Sequence, residues 1–119
     1  MNTYALLLPY HTDRYKGMDP EEYMDIIKDY IAWSEDLGAR GLYAGGHKLA
    51  DDPGITVARN GDSVEVHDTP SAESAEILGG LILVNAESYE AAAEIAKTCP
   101  HLTYNEKIEI RQVDEAGED

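Results

Sequence analysis

The chain has 119 residues, with 24 Asp and Glu against 9 Lys and Arg, a formal charge of −15. That length makes one domain, because half of it, about 60 residues, buries too little surface to be comfortable alone. No apolar run reaches the roughly 18 residues of a membrane span, and so acidic a surface repels nucleic-acid backbones and anionic lipid, so no membrane and no direct nucleic-acid contact is expected.

Met1-Asn2-Thr3-Tyr4 lacks the basic region of a signal peptide, which makes the cytoplasm the expected compartment. Tyr4-Ala5-Leu6-Leu7-Leu8 is too short for a helix and has no polar alternation, so it reads as a central strand stopped by Pro9. After a polar loop, Asp19-Pro20-Glu21-Glu22 starts a helix, with Asp19 as cap, Pro20 in the first position and Glu22 closing a capping box. The stripe Tyr23, Ile26, Ile27, Tyr30, Ile31 and Leu37 carries that helix to a stop at Gly38, a length of about 27 Å.

Gly41 to Gly46 reads as a short strand that breaks at its paired glycines. Ile55–Arg59 and Ser63–His67 flank Asn60-Gly61 as a β-hairpin. Gly79-Gly80-Leu81-Ile82-Leu83-Val84 is a second central strand. Ser88 caps a helix that buries Ala92, Ile95, Ala96 and Cys99 and ends at Pro100, and Lys107–Val113 alternates as the last strand. The expected domain spans 1–113, followed by an acidic disordered tail, 114–119, in which four of six residues are Asp or Glu.

With the hairpin set aside, the order is strand-helix-strand twice, the ferredoxin-like βαββαβ plan of the α+β class. Two helices cover one sheet face, whereas the central runs are apolar on both, so a homodimer packed sheet to sheet is expected.

Asp68-Thr69-Pro70-Ser71-Ala72-Glu73, then Leu78-Gly79-Gly80, an apolar strand, Ala92-Ala93-Glu94-Ile95-Ala96, Cys99-Pro100 and Ile108-Glu109-Ile110-Arg111 follow one another in an order and spacing that resemble the YCII-related family, in its DGPF-domain branch. Tyr4–Leu8, Gly45-Gly46 with Leu49, and Thr56-Val57 extend the resemblance over about residues 1–113. The name-giving Asp-Gly-Pro-Phe is here Asp68-Thr69-Pro70-Ser71, and the lysine usual beside Glu76 is Ala75. The resemblance implies a dimeric α+β barrel related to muconolactone isomerase. It also implies proton transfer or elimination on small cyclic or aromatic acids, with a His/Asp pair as candidate site.

Asp68, His47 and His101 are the catalytic candidates, with Arg111 and Glu73 as ligand-binding ones. Each has a plainer alternative. Asp68 can fix a turn before Pro70, His47 can sit in an ordinary glycine turn, and His101 can answer a helix dipole after Cys99-Pro100. Arg111 should lie on the face away from the helices, where it needs a carboxylate: Asp68, Glu73 or a substrate. His67 points away from its neighbour Asp68 and reads as strand surface, and Cys99 as a small core residue. No histidine spacing suits a metal and no glycine motif suits a nucleotide, so no cofactor is expected. Two functions stay open: binding of a small carboxylated or enolic molecule with acid-base chemistry of the isomerase or lyase kind, or a non-catalytic dimeric regulatory module, DGPF-type domains being associated with sigma-type transcription proteins.

Overall fold

The computed structural model describes residues 1–11, 13–68 and 76–114. Glu73 and residues 115–119 of the expected tail therefore lie outside the described residues. Four strands, β1 (Asn2–His11), β2 (Tyr43–Lys48), β5 (Glu76–Ala86) and β6 (Glu109–Gln112), form an antiparallel sheet in the order β2-β5-β1-β6. Helices α1 (Pro20–Ala39) and α2 (Tyr89–Ala96) and the single turn α3 (Pro100–Thr103) complete the domain, and β3 (Ile55–Asn60) pairs with β4 (Ser63–Asp68) in a separate hairpin. This is the expected ferredoxin-like α+β plan with its inserted hairpin.

Strand alternation sets the two faces. Tyr4, Leu6 and Leu8 of β1 and Ile82, Val84 and Ala86 of β5 point into a core closed by Trp33 and Leu37 of α1 and by Ala92, Ile95, Ala96 and Cys99. Trp33 Nε1 donates to Thr98 Oγ1 at 2.8 Å, which ties α1 to the end of α2. Cys99 is the expected small core residue, its thiol pushed up to about 11 by burial. Ala5, Leu7, Leu81 and Leu83 face the other way, in register with Arg111, Glu109 and His47.

Several boundaries differ from the sequence expectation: α2 ends at Ala96 rather than at Pro100, which instead opens α3, β5 already starts at Glu76, β6 spans only Glu109–Gln112, and four more differ for a local reason. Strand β1 does not stop at Pro9, because β6 pairs with it only from Tyr4 to Leu7, and a proline is tolerated where one edge of a strand is open. Strand β2 does not break at its glycines but bulges between Tyr43 and Gly45, with Gly45 at φ 135°. Helix α1 runs through Gly38 and ends at Ala39, two residues before Gly41, which at φ 73° forms a Schellman motif: Gly41 N–H donates to Gly38 O and Leu42 N–H to Leu37 O. The hairpin turn is centred on Gly61 and Asp62, one residue later than expected, since Asn60 already pairs with Ser63.

The register between β1 and β5 shifts by one residue, so that Gly79 and Gly80 together oppose Leu8. A Cβ on Gly79 would stand 2.6 Å from Tyr10 Cδ1, and one on Gly80 would stand 2.8 Å from the His47 carbonyl oxygen. Gly79→Ala is expected to displace the Tyr10 ring and cost about 1–3 kcal/mol in urea unfolding; an unchanged midpoint would show that Tyr10 does not lean on this bulge.

Candidate functional site

Between α1 and the helix-facing side of β1, β2 and β5 lies a cleft of about 240 Å³. Its walls are Tyr10, Tyr15, Tyr30 and Tyr43, its floor includes Gly46, Gly79 and Gly80, and Arg14, Lys48, Asp51 and His101 supply the ionisable groups. The bulge makes room for it, since only glycines let Tyr10 lie across β5 and let β2 approach.

The inner wall is built where β1 runs out of strand partners. Beyond Leu7 the β6 edge of β1 is open, and its backbone groups are satisfied by side chains from the segment that leads into β6. His101 Nε2 lies 2.6 Å from the Pro9 carbonyl oxygen, and the His11 amide donates to Glu106 Oε2 at 2.8 Å, while the His11 ring Nδ1 also bonds Glu106. His101 and Glu106 are the buried ionisable side chains of the described core. Tyr30 of α1 reaches His101 Nδ1 at 2.8 Å, and Arg14 Nη2 reaches the Tyr30 hydroxyl at 3.4 Å. Burial pushes the Tyr30 phenol up to about 12.

Arg14 is held by rings. Its guanidinium carbon stands 4.9 Å from the Tyr15 ring centre and 4.8 Å from that of Tyr104, an arrangement that fixes the cation without neutralising it. Tyr104 is itself pinned by a 2.8 Å bond from its hydroxyl to Asp29. At the opposite end, Asp51 accepts from Tyr10 and Tyr23 at 3.0 Å each and from Lys48 at 3.3 Å. Burial alone would raise the Asp51 pKa, but the bonds from Tyr23, Tyr10 and Lys48 outweigh it and hold the carboxylate below its usual value. Burial raises the Tyr10 phenol, and the Asp51 bond raises it further.

The structure brings His101 to this cleft and places Asp68 and Arg111 elsewhere; His47 borders the cleft on β2, but its register with Leu81 turns its side chain to the helix-free face. Asp68 ends β4 in the exposed hairpin, paired with Ile55. Arg111 is exposed on the face away from the helices, as its alternation requires, and makes no ion pair with Asp68 among the described residues. His101 lies within α3, and its position is set by Pro9 and Tyr30 rather than by the end of α2. Arg14, Tyr30, Lys48, Asp51 and the pair His11 and Glu106 were not among the sequence candidates. Among the described residues no group of three His, Cys, Asp or Glu side chains is placed to hold a metal ion.

The histidines carry opposite pH signs. Burial lowers the His101 pKa below 6.5, so the folded chain refuses a proton that the unfolded chain takes; its contribution to stability is present above pH 6.5 and is lost as the pH falls. The Glu106 bond and charge raise His11, whose contribution is complete below 6.5 and is lost as the pH rises through its folded value. In an NMR titration His101 is expected to change below pH 6.5 and His11 above it, with Glu106→Gln returning His11 toward 6.5. Coincident titration of the two rings would contradict this geometry.

The family model of the YCII-related domain matches residues 3–116. No curated protein sequence matches the chain significantly. Among solved structures it is similar to the 5-chloro-2-hydroxyhydroquinone dehydrochlorinase TftG of Burkholderia phenoliruptrix AC1100, in complex with 2,5-dihydroxybenzoquinone: TM-score 0.52 at 11% identity, covering 94% of this chain and 93% of that one. At that identity the likeness is one of fold. No helix among the described residues is long and apolar enough to cross a membrane. With nearly its whole length matched, the chain belongs to the YCII-related family.

Proposed function

We propose that this YCII-related protein binds a small carboxylated or enolic molecule in the cleft beneath α1 and performs acid-base chemistry of the isomerase or lyase kind on it. The observation that carries this reading is Arg14. What sets Arg14 apart is its place: it lines the cleft and, among the described residues, makes no ion pair there, its guanidinium lying against tyrosine rings instead. A half-buried guanidinium held open between two rings is a receptor for an anion. Lys48 extends the positive side of the cleft, although Asp51 shares its charge. The neutral His101 ring, reached through Tyr30, is the acid-base group. A volume of about 240 Å³ suits a single-ring molecule, being below the ~300–1,000 Å³ of drug-sized pockets. The 2,5-dihydroxybenzoquinone held by the structural neighbour, a hydroxylated ring, supports the enolic class.

This places the cavity inside one protomer on the helix side of the sheet, whereas the sequence reading put it within a dimer barrel. A thermal-shift screen with small aromatic carboxylates and 2,5-dihydroxybenzoquinone tests the proposal. A ligand at about 100 times its Kd adds roughly 2.7 kcal/mol, several degrees for a domain of this size. The shift is expected in the wild type and lost in Arg14→Gln; a shift that survives the substitution would move the site away from Arg14.

We also propose that the homodimer forms on the uncovered apolar surfaces. Leu7, Leu81 and Leu83 lie on the helix-free face, and Ile55, Val57, Val64 and Val66 share one face of the hairpin, 56–67% exposed. Four such side chains on a hairpin that pairs with no other strand among the described residues favour an interaction surface. Light scattering is expected to give a mass near twice 13.1 kDa, falling to the monomer in Val57→Lys with Val66→Lys. A wild-type monomer at micromolar concentration would reject the dimer, and with a flat ligand screen would direct attention to the non-catalytic reading, in which the hairpin meets another protein.

A further inference from the structure

Building on the reading of the cleft as a small-anion site, we infer that it selects an anion that carries a hydroxyl group near its charge, with the Tyr30 hydroxyl oxygen as the acceptor that reads that hydroxyl. The polarity is set at Pro9. A carbonyl oxygen has no proton to give, so the 2.6 Å bond to His101 is donated by Nε2–H. A neutral imidazole carries one N–H, which leaves Nδ1 bare and able only to accept. At 2.8 Å from Nδ1, Tyr30 therefore donates its single O–H to the histidine. What its oxygen has left are lone pairs; the long bond from Arg14 Nη2 at 3.4 Å takes one weakly, and the oxygen still has acceptor capacity to offer.

Arg14, Tyr30 and His101 all line the cleft, so the point where the three meet lies on its wall. A ligand whose anionic oxygen faces Arg14 meets, beside it, an oxygen that can only accept. A hydroxyl there completes the chain ligand, Tyr30, His101, Pro9. A bare carbonyl or a methyl ether there sets lone pair against lone pair. Tyr30 cannot reverse cheaply, because turning its O–H toward the ligand leaves a buried Nδ1 without a donor in a side chain only 2% exposed. Burial holds the His101 pKa below its usual value, which keeps the ring in the neutral form this chain requires. Tyr10 and Tyr23 spend their own protons on Asp51, so the donors at the far end of the cleft do not substitute for the missing one.

Calorimetric titration with benzoate, 2- and 3-hydroxybenzoate and their methoxy counterparts tests the inference on the intact protein. The better placed hydroxybenzoate is expected to bind wild type roughly tenfold more tightly than benzoate, and its methoxy analogue more weakly than benzoate. In Tyr30→Phe the affinity for benzoate should stay within about threefold while the preference for the hydroxyl falls to about one. Equal binding of hydroxybenzoates and benzoate by wild type, or a preference that survives Tyr30→Phe, overturns the inference and leaves the anion site standing. Failure of every benzoate to bind wild type removes the anion site and the inference together. A long-range nitrogen–proton NMR correlation on unsubstituted protein reads the tautomer directly: Nε2–H on His101 is expected, and Nδ1–H overturns the inference whatever the variant does.

Discussion

The structure turns on the edge of β1 beyond Leu7, where strand pairing stops and side chains take over. An unpaired backbone group buried in a protein is costly, and the Pro9 carbonyl and the His11 amide are left without a strand to pair with. His101 and Glu106, both on the connection into β6, take their places. Two ionisable side chains are buried for this purpose, and each then presents a second functional atom: Nδ1 of His101 toward Tyr30, and the Glu106 carboxylate toward the His11 ring. The polar wall of the cleft is thus a by-product of closing a sheet edge. On the other side of Leu8, Gly79 and Gly80 lift β5 away and let Tyr10 cross to Asp51, which shapes the opposite wall.

Electrostatics give the cleft a character unlike the surface around it. At a charge of −15 the protein repels small anions at long range, and salt at physiological strength screens that repulsion beyond about 8 Å. Binding then depends on cations placed within contact distance. Lys48 is partly committed to Asp51, but Arg14 is held by the π faces of Tyr15 and Tyr104, which attract the guanidinium and compete little with a carboxylate for its N–H groups. The tyrosine-rich wall therefore contributes apolar contact for a ring and also preserves the charge that would hold it.

What was legible in the sequence was local. The Ser88 cap and the buried Ala92, Ile95, Ala96 and Cys99 depend on neighbours a few residues apart and are found in the structure, whereas of the α1 stripe Ile26 and Leu37 are buried, Ile31 is 51% exposed and Trp33, outside the stripe, is buried instead. Gly38 was taken for the helix stop because glycine ends helices, but the residue in the left-handed region is Gly41, and only backbone geometry separates the two. His101 was legible as a candidate but not its role, which rests on a carbonyl 92 residues away. Tyr30 was read as part of the apolar stripe, correctly for its ring, while its hydroxyl has meaning only beside a histidine 71 residues later. Arg14 sits in a loop with no period to mark it. The one available signal was the closeness of Tyr10, Arg14 and Tyr15, an arginine among aromatics in a chain poor in cations. Asp68 drew attention through its motif, but it is carried off on the hairpin, whose outward reach is felt in a radius of gyration of 16.4 Å against about 13.5 Å for a compact chain of this length.

The same strands serve both faces of the sheet, and this separates ligand recognition from assembly. Leu6, Leu8 and Tyr10 look toward the helices and the cleft, whereas Ala5 and Leu7 look toward the surface left for a second copy. A slip of one residue would exchange the two sets and turn Tyr10 away from the cleft. Several devices resist such a slip: the double glycine opposite Leu8, the proline at 9, and the bonds to His101 and Glu106 that fit one register of β1 only. Those devices and the described cleft belong to one protomer. The proposed association would cover the helix-free face without rearranging the groups proposed to meet a ligand, which is the arrangement a fold needs if binding chemistry and oligomeric state are to vary independently.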